Sequence, residues 1–233
     1  MTRRPRKSAR TASARRPAAP TGERDKIVVA FMTLLADKPY EAVSLADVAS
    51  EAKVSLAAVR GEFSSTLAML AAHIKSTDRA VLAEDFSDME EEPPRERLFD
   101  VLMRRLEMLT PHRAAINSLV RSARRNPPLA LALNGLAVRS QQWMLAAAGI
   151  SASGPRGMLR AQGLAALFGS VLATWVEDDD PGQARTMAAL DRALRRGERF
   201  AGLLDDLCAI PSRLCRRRRR HRRNGDSVET AAA

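Results

Sequence analysis

The stretch VSLADVASEAKVSLAAVRGEF, Val43 to Phe63, constrains this chain more than any other. Ser44 stands at a helix N-cap position, and Asp47 follows three residues later, as a capping box requires. A short helix over Leu45–Ala52 follows, with Leu45, Val48 and Ala49 at helical spacing on one face. Lys53 and Val54 turn the chain. Ser55 caps a second short helix that carries Val59 and ends near Phe63. Two short helices at a wide angle, the second turned outward, suit the major groove of DNA.

The flanks extend the pattern. A first helix is expected over Gly22–Ala36, with Ile27, Phe31, Leu34 and Leu35 inward, followed by the turn Asp37-Lys38-Pro39-Tyr40. A fourth helix is expected from Thr66 to about Ala83, with a stripe of Leu67, Leu70, Ile74 and Val81. From Glu23 to Val81 the chain resembles the TetR family of bacterial repressors. The resemblance rests on the turn and Tyr40, capped Ser44, the Ala52-Lys53-Val54-Ser55 turn, and Phe63 closing the second short helix.

The resemblance implies an all-α fold of about nine helices: an N-terminal three-helix DNA reader, then a helical domain for ligand binding and dimerisation. It implies a ligand-responsive regulator, in all expectation a repressor, that grips a palindromic operator in double-stranded DNA as a homodimer in the cytoplasm. Ser44, Ser55, Leu56, Ala58, Val59, Arg60 and Thr66 are the implied DNA contacts. The sequence departs from the family where Leu56 replaces a basic residue, Arg60 an aromatic, Thr66 a lysine and Lys53 the usual turn glycine, whose left-handed backbone Lys53 then has to bear. Glu62 adds a carboxylate that would repel phosphates.

Charge divides the chain. Residues 1–19 hold seven Lys/Arg and residues 211–223 eight Arg, with no acid in either stretch. Without these tails, and without the two acids of the last ten residues, 23 basic and 25 acidic residues remain, a net charge of −2. The organisation expected is a disordered basic arm (1–20), the reader with its linking helix (21–83), a ligand and dimerisation domain (84–210) and a disordered Arg-rich tail (211–233). Such tails attract polyanions without reading sequence. Cys208 and Cys215 form no disulfide framework, which fits a reducing compartment.

After an acidic loop (Glu84–Pro94), a fifth helix is expected to turn Leu98, Leu102, Leu106 and Leu109 inward. Thr110-Pro111 reads as N-cap and first turn of a sixth helix ending near Arg125, and Asn126-Pro127-Pro128 opens a seventh ending at Gly149. The eighth spans about Pro155–Val176, and Asp180 caps a ninth running to about Arg196, with a helical piece through Leu207.

Met103, His112, Asn117, Gln141, Trp143, Met144, Phe168 and Trp175 are the candidates to line a pocket for an apolar or amphipathic small molecule, or to form plain core. Gly163, Ala166, Gly169, Ser170 and Ala173 make a small-residue stripe suited to a dimer, or to close packing within one subunit. His73 is expected to point off its helix. No metal-ligand spacing, phosphate loop or nucleophile elbow appears, so no catalytic residue, metal or cofactor is expected. The stretch Asp178–Glu198 is also similar to the TetR-fold lipid-binding proteins that assist ubiquinone biosynthesis, which implies an alternative: a lipid or quinone carrier without specific DNA binding.

Overall fold

A computed structural model of the chain describes residues 22–199, apart from 87, 88 and 90. The two basic tails, Cys208, Cys215, His221 and the helical piece expected through Leu207 lie outside the described residues. Among the described residues all regular structure is helical. The helices are α1 (Glu23–Asp37), α2 (Leu45–Ala52), α3 (Leu56–Glu62), α4 (Thr66–Leu82), α5 (Pro94–Leu109), α6 (Arg113–Arg125), α7 (Pro127–Ala147), α8 (Gly154–Trp175) and α9 (184–199). This is the expected number and order.

Two apolar cores result. The first gathers Ile27, Phe31 and Leu35 of α1, Val48 and Ala49 of α2, Val59 of α3, and Met69 and Leu70 of α4, closed by Phe63. Leu45 does not join it and is 39% exposed, so the buried stripe of α2 is narrower than its spacing suggested. The second core gathers Leu98, Leu102, Leu106 and Leu109 of α5 with Met144, Phe168, Trp175 and Leu190. Burying each such side chain stabilises by roughly 1.5–3 kcal/mol. α4 serves both cores, giving Met69 and Leu70 to one and Val81 to the other.

α6 packs along α1 and carries Ala115 into the first core. One stripe of α6 also grips the connection after α1. The Ser118 hydroxyl donates to the Lys38 carbonyl (2.8 Å), the Tyr40 amide donates to Ser122 Oγ (3.1 Å), and Asn126 Nδ2 donates to Glu41 Oε1 (3.1 Å). Ser118 and Ser122, four residues apart, share one face of α6, and Asn126 follows directly after its last turn. The α1–α3 unit therefore sits on α6 as well as on the continuous α4.

One local expectation fails. Thr110 does not cap α6. Residues Thr110–His112 form a 3-10 turn, α6 starts at Arg113, and the Thr110 hydroxyl donates back to the Leu106 carbonyl (3.1 Å). A threonine directly after one helix and just before another can donate to a carbonyl of the first or accept from an amide of the second, and here it donates to the end of α5. By contrast Asp180 caps α9 as expected, accepting from the Gly182 and Ala184 amides at 3.1 Å each. Asp178 reinforces that start by accepting from the Thr186 amide (2.8 Å) and hydroxyl (2.6 Å).

Candidate nucleic-acid interface and the polar cluster behind it

The presented helix is built from local bonds. Ser44 Oγ accepts from the Asp47 amide (3.1 Å) while Asp47 Oδ2 accepts from the Ser44 amide (3.2 Å), so the capping box is complete. The Ser44 amide holds the Asp47 carboxyl below the usual carboxylate range. Lys53 adopts φ 56°, ψ 43°, the left-handed turn expected of it, and the Val54 amide closes on the Ala49 carbonyl at 3.0 Å. Ser55 Oγ then caps α3 through the Ala58 amide (3.1 Å).

Val59 and Phe63 anchor α3 from behind, at 1% and 4% exposure. Val59 therefore faces the core and leaves the set of expected DNA contacts. Ser44, Ser55, Leu56 and Arg60 are exposed, and Ala58 is half-buried at their edge. Thr66 is half-buried, and its hydroxyl pairs with the Tyr40 hydroxyl (2.9 Å).

Glu62 is not the free acid expected from the sequence. Arg24 of α1 donates to the Glu62 carbonyl (2.8 Å) and to its Oε2 (3.1 Å), with its guanidinium 4.3 Å from the centre of the Phe63 ring. The pair is exposed, so it contributes at most about 1 kcal/mol. Its larger effect is on charge: the acid is neutralised, and Arg60 remains as the exposed cation of α3. Arg24 carried no signal in the sequence, because its partner lies 38 residues away.

Tyr40 joins three elements. Its amide is held by Ser122 of α6, its hydroxyl meets Thr66 at the start of α4, and its ring stands edge-on to Phe31 of α1, at 6.4 Å between centres. A displacement of α6 would therefore reach the first turn of α4, directly after α3.

The expected ligand residues divide. Met144, Phe168 and Trp175 are buried in the second core, Met103 packs against it, and Asn117 is half-buried on α6. Trp143 is 60% exposed and lines no interior. It falls on the outer stripe of α7 with Leu131, Gly135 and Arg139. Clefts open among the described residues, and two have defined linings. One of about 600 Å³ is lined by Phe86, Arg97, Val101 and Gly149, and one of about 710 Å³ lies between the α1–α2 connection and Ser118, Arg121 and Arg125. None of the eight expected residues lines either.

What the sequence missed is a buried polar cluster at the meeting of α4, α5 and α7. Arg105 pairs with Asp78, and Ser140 Oγ donates to the same carboxylate oxygen (2.8 Å). The Arg105 guanidinium lies 5.5 Å from the centre of Phe168. His73 is 8% exposed rather than pointing off α4, because its ring packs edge-on against His112, 4.6 Å between centres. Burial first, then His112 and Arg105, push the His73 pKa down to about 3, and burial lowers His112. His73 Nε2, Arg105 Nε, Gln141 Oε1 and Trp175 Nε1 are buried without a hydrogen-bond partner.

On α8, Gly163, Ala166, Gly169 and Ser170 are exposed, with exposed Leu159 one turn before them and Ala173 half-buried. A Cβ on Gly163 or Gly169 would meet nothing within 4 Å. Among the described residues the stripe is therefore not used for close packing inside the subunit. No described helix is long and apolar enough to cross a membrane.

No protein-family model matches the sequence, and no curated protein matches it. Solved structures do match in shape. A TetR transcriptional regulator from Nitrosomonas europaea is 21% identical with a TM-score of 0.58, over 76% of this chain and 98% of that one. A TetR transcriptional regulator from Rhodococcus sp. RHA1 is 19% identical with a TM-score of 0.53, over 75% of this chain and 94% of that one. The all-α chain thus has the fold of the TetR transcriptional regulators.

Proposed function

We propose that the protein is a ligand-responsive transcriptional regulator, a cytoplasmic repressor that binds a palindromic operator as a homodimer. The observation that carries this reading is α3 itself: capped by Ser55, held from behind by Val59 and Phe63, and turned outward. A helix so fixed can enter a major groove without rearranging. Ser44, Ser55, Leu56, Ala58 and Arg60 make the contact surface, with Thr66 at its margin.

Dimerisation draws support from α8. Glycine inside a helix costs about 1 kcal/mol relative to alanine. Gly163 and Gly169 gain nothing for it within the described subunit, whereas a partner helix would use the room they leave. Ligand binding among α4–α8 would shift α4 and α6, and through Tyr40 the attitude of α3, lowering operator affinity.

The test is selection from genomic fragments by the full-length protein against excess bulk DNA. One palindromic site should be enriched, and Arg60→Ala should weaken its binding by about 1–3 kcal/mol. Binding that fails to discriminate any site from bulk DNA would overturn the reading. A lipid or quinone carrier is the second reading, favoured by the apolar Leu56 and single free cation of α3. It predicts lipid co-purifying with a protein that selects no operator.

A further inference from the structure

We propose that His73, His112 and Arg105 form the receiving end of the effector site, and that the effector is an organic acid whose carboxylate docks there. The inference rests on the regulatory reading above only in calling the ligand an effector.

Geometry carries it. Arg105 spends one edge of its guanidinium on Asp78, and its Nε–H is buried with no acceptor. His73 Nε2 is likewise buried and unpartnered, on a ring that touches His112. A buried polar group left unpaired costs about 1–3 kcal/mol, so two of them against one ion pair are a stored cost that a fitting ligand relieves. A carboxylate is the complementary group, because its two oxygens can accept from an arginine N–H and from an imidazole N–H. An alkane or isoprenoid tail would leave both groups unpaired. His112 is only half-buried and is the edge of the cluster nearest solvent.

Charge adds a consequence. Asp78 already balances Arg105, so a carboxylate arriving in this interior brings one uncompensated negative charge. The groups facing His73 are His112 on the turn before α6 and Arg105 on α5, with Asp78 of α4 behind Arg105. Only the imidazoles can change charge near neutral pH, so the acid should bind with uptake of one proton from water onto the histidine pair. Both histidines are held neutral before binding, since burial lowers them. The position suits a switch as well: His73 and Asp78 are on α4, and His112 leads directly into α6.

The experiment is calorimetric titration of the full-length protein with matched carboxylates and primary amides: benzoate and benzamide, octanoate and octanamide, phenylacetate and phenylacetamide. At least one acid should bind about tenfold or more tightly than its amide. It should take up close to one proton, read from two buffers of different ionisation enthalpy. Its affinity should fall by up to about tenfold per pH unit above neutrality. His73→Asn should abolish the proton uptake, and His112→Asn provides the same readout if the first variant melts. Amides binding as well as acids in every pair, no acid binding at millimolar concentration, or acid binding without proton uptake would each overturn the proposal. Operator affinity measured alongside separates the two ideas. An acid that binds with a proton but leaves operator affinity unchanged supports this site and counts against regulation through it. An operator released only by the amides sinks this site and leaves the regulator intact.

Discussion

The two cores of this protein handle polarity in opposite ways. Around the first, polar groups are satisfied close by in sequence: Ser44 with Asp47, Ser55 with Ala58, Ser65 with Ala68. Among the described residues no buried unpartnered side-chain atom lies in residues 22–72. The second core holds the Arg105–Asp78 pair, two touching imidazoles, and the orphaned atoms of His73, Arg105, Gln141 and Trp175. The lesson concerns what each part can do. A core with every polar group satisfied has one good arrangement and presents α3 rigidly. A core with unpaired groups gains from rearranging around something that pairs them.

The sharpest way to break this contrast is Asp78→Ala. It strands the buried Arg105 charge and should destabilise by about 3–5 kcal/mol in urea unfolding. The double change Asp78→Leu with Arg105→Met should recover most of that loss. If the single change costs no more than a surface substitution, the second core does not depend on its ion pair.

Acid titration sharpens the contrast next. His73 stays neutral in the folded protein down to about 3, while the unfolded chain protonates it near the ordinary histidine value of 6.5. The unfolded state therefore binds more protons between these values, and stability falls as pH drops through that window, levelling off below it. One such group gives a slope of up to about 1.4 kcal/mol per pH unit. His73→Phe should remove that share of the slope, and an unchanged slope would mean His73 is not held neutral.

The smallest effects belong to the α2–α3 region. Lys53→Gly removes the strain of a left-handed non-glycine residue and should stabilise by about 1 kcal/mol. Ser44→Ala breaks the capping box and should destabilise by about 1 kcal/mol. Both are read by thermal unfolding, and neither should alter ligand titrations of the second core. A change there would mean the two halves are not separable in this way.

The same contrast explains what was legible beforehand. The span of α2, the turn at Lys53 and the caps of α3 and α9 follow from bonds that close within about three to five residues, so residue order specifies them. Thr110 shows the limit of even that logic, since donating back to α5 competed with accepting from α6 and sequence order does not rank the two. Burial was harder still. Val59 and Trp143 each lie on a helix of the right kind, yet one faces inward and the other outward, because the neighbouring helix decides which side is covered.

Residue order by itself determined the helices, their ends apart from the start of α6, and the outward pair α2–α3, because capping and 3.6-residue periodicity act within a turn or two of chain. Only the tertiary structure decided the charge and chemistry of the interior. Arg24 reaches Glu62 across 38 residues, Arg105 reaches Asp78 across 27, and Ser122 reaches Tyr40 across 82. Whether an acid is neutralised, a histidine discharged or a hydroxyl used as a latch depends on what packing brings within about 3 Å, and a one-dimensional order carries no record of that distance.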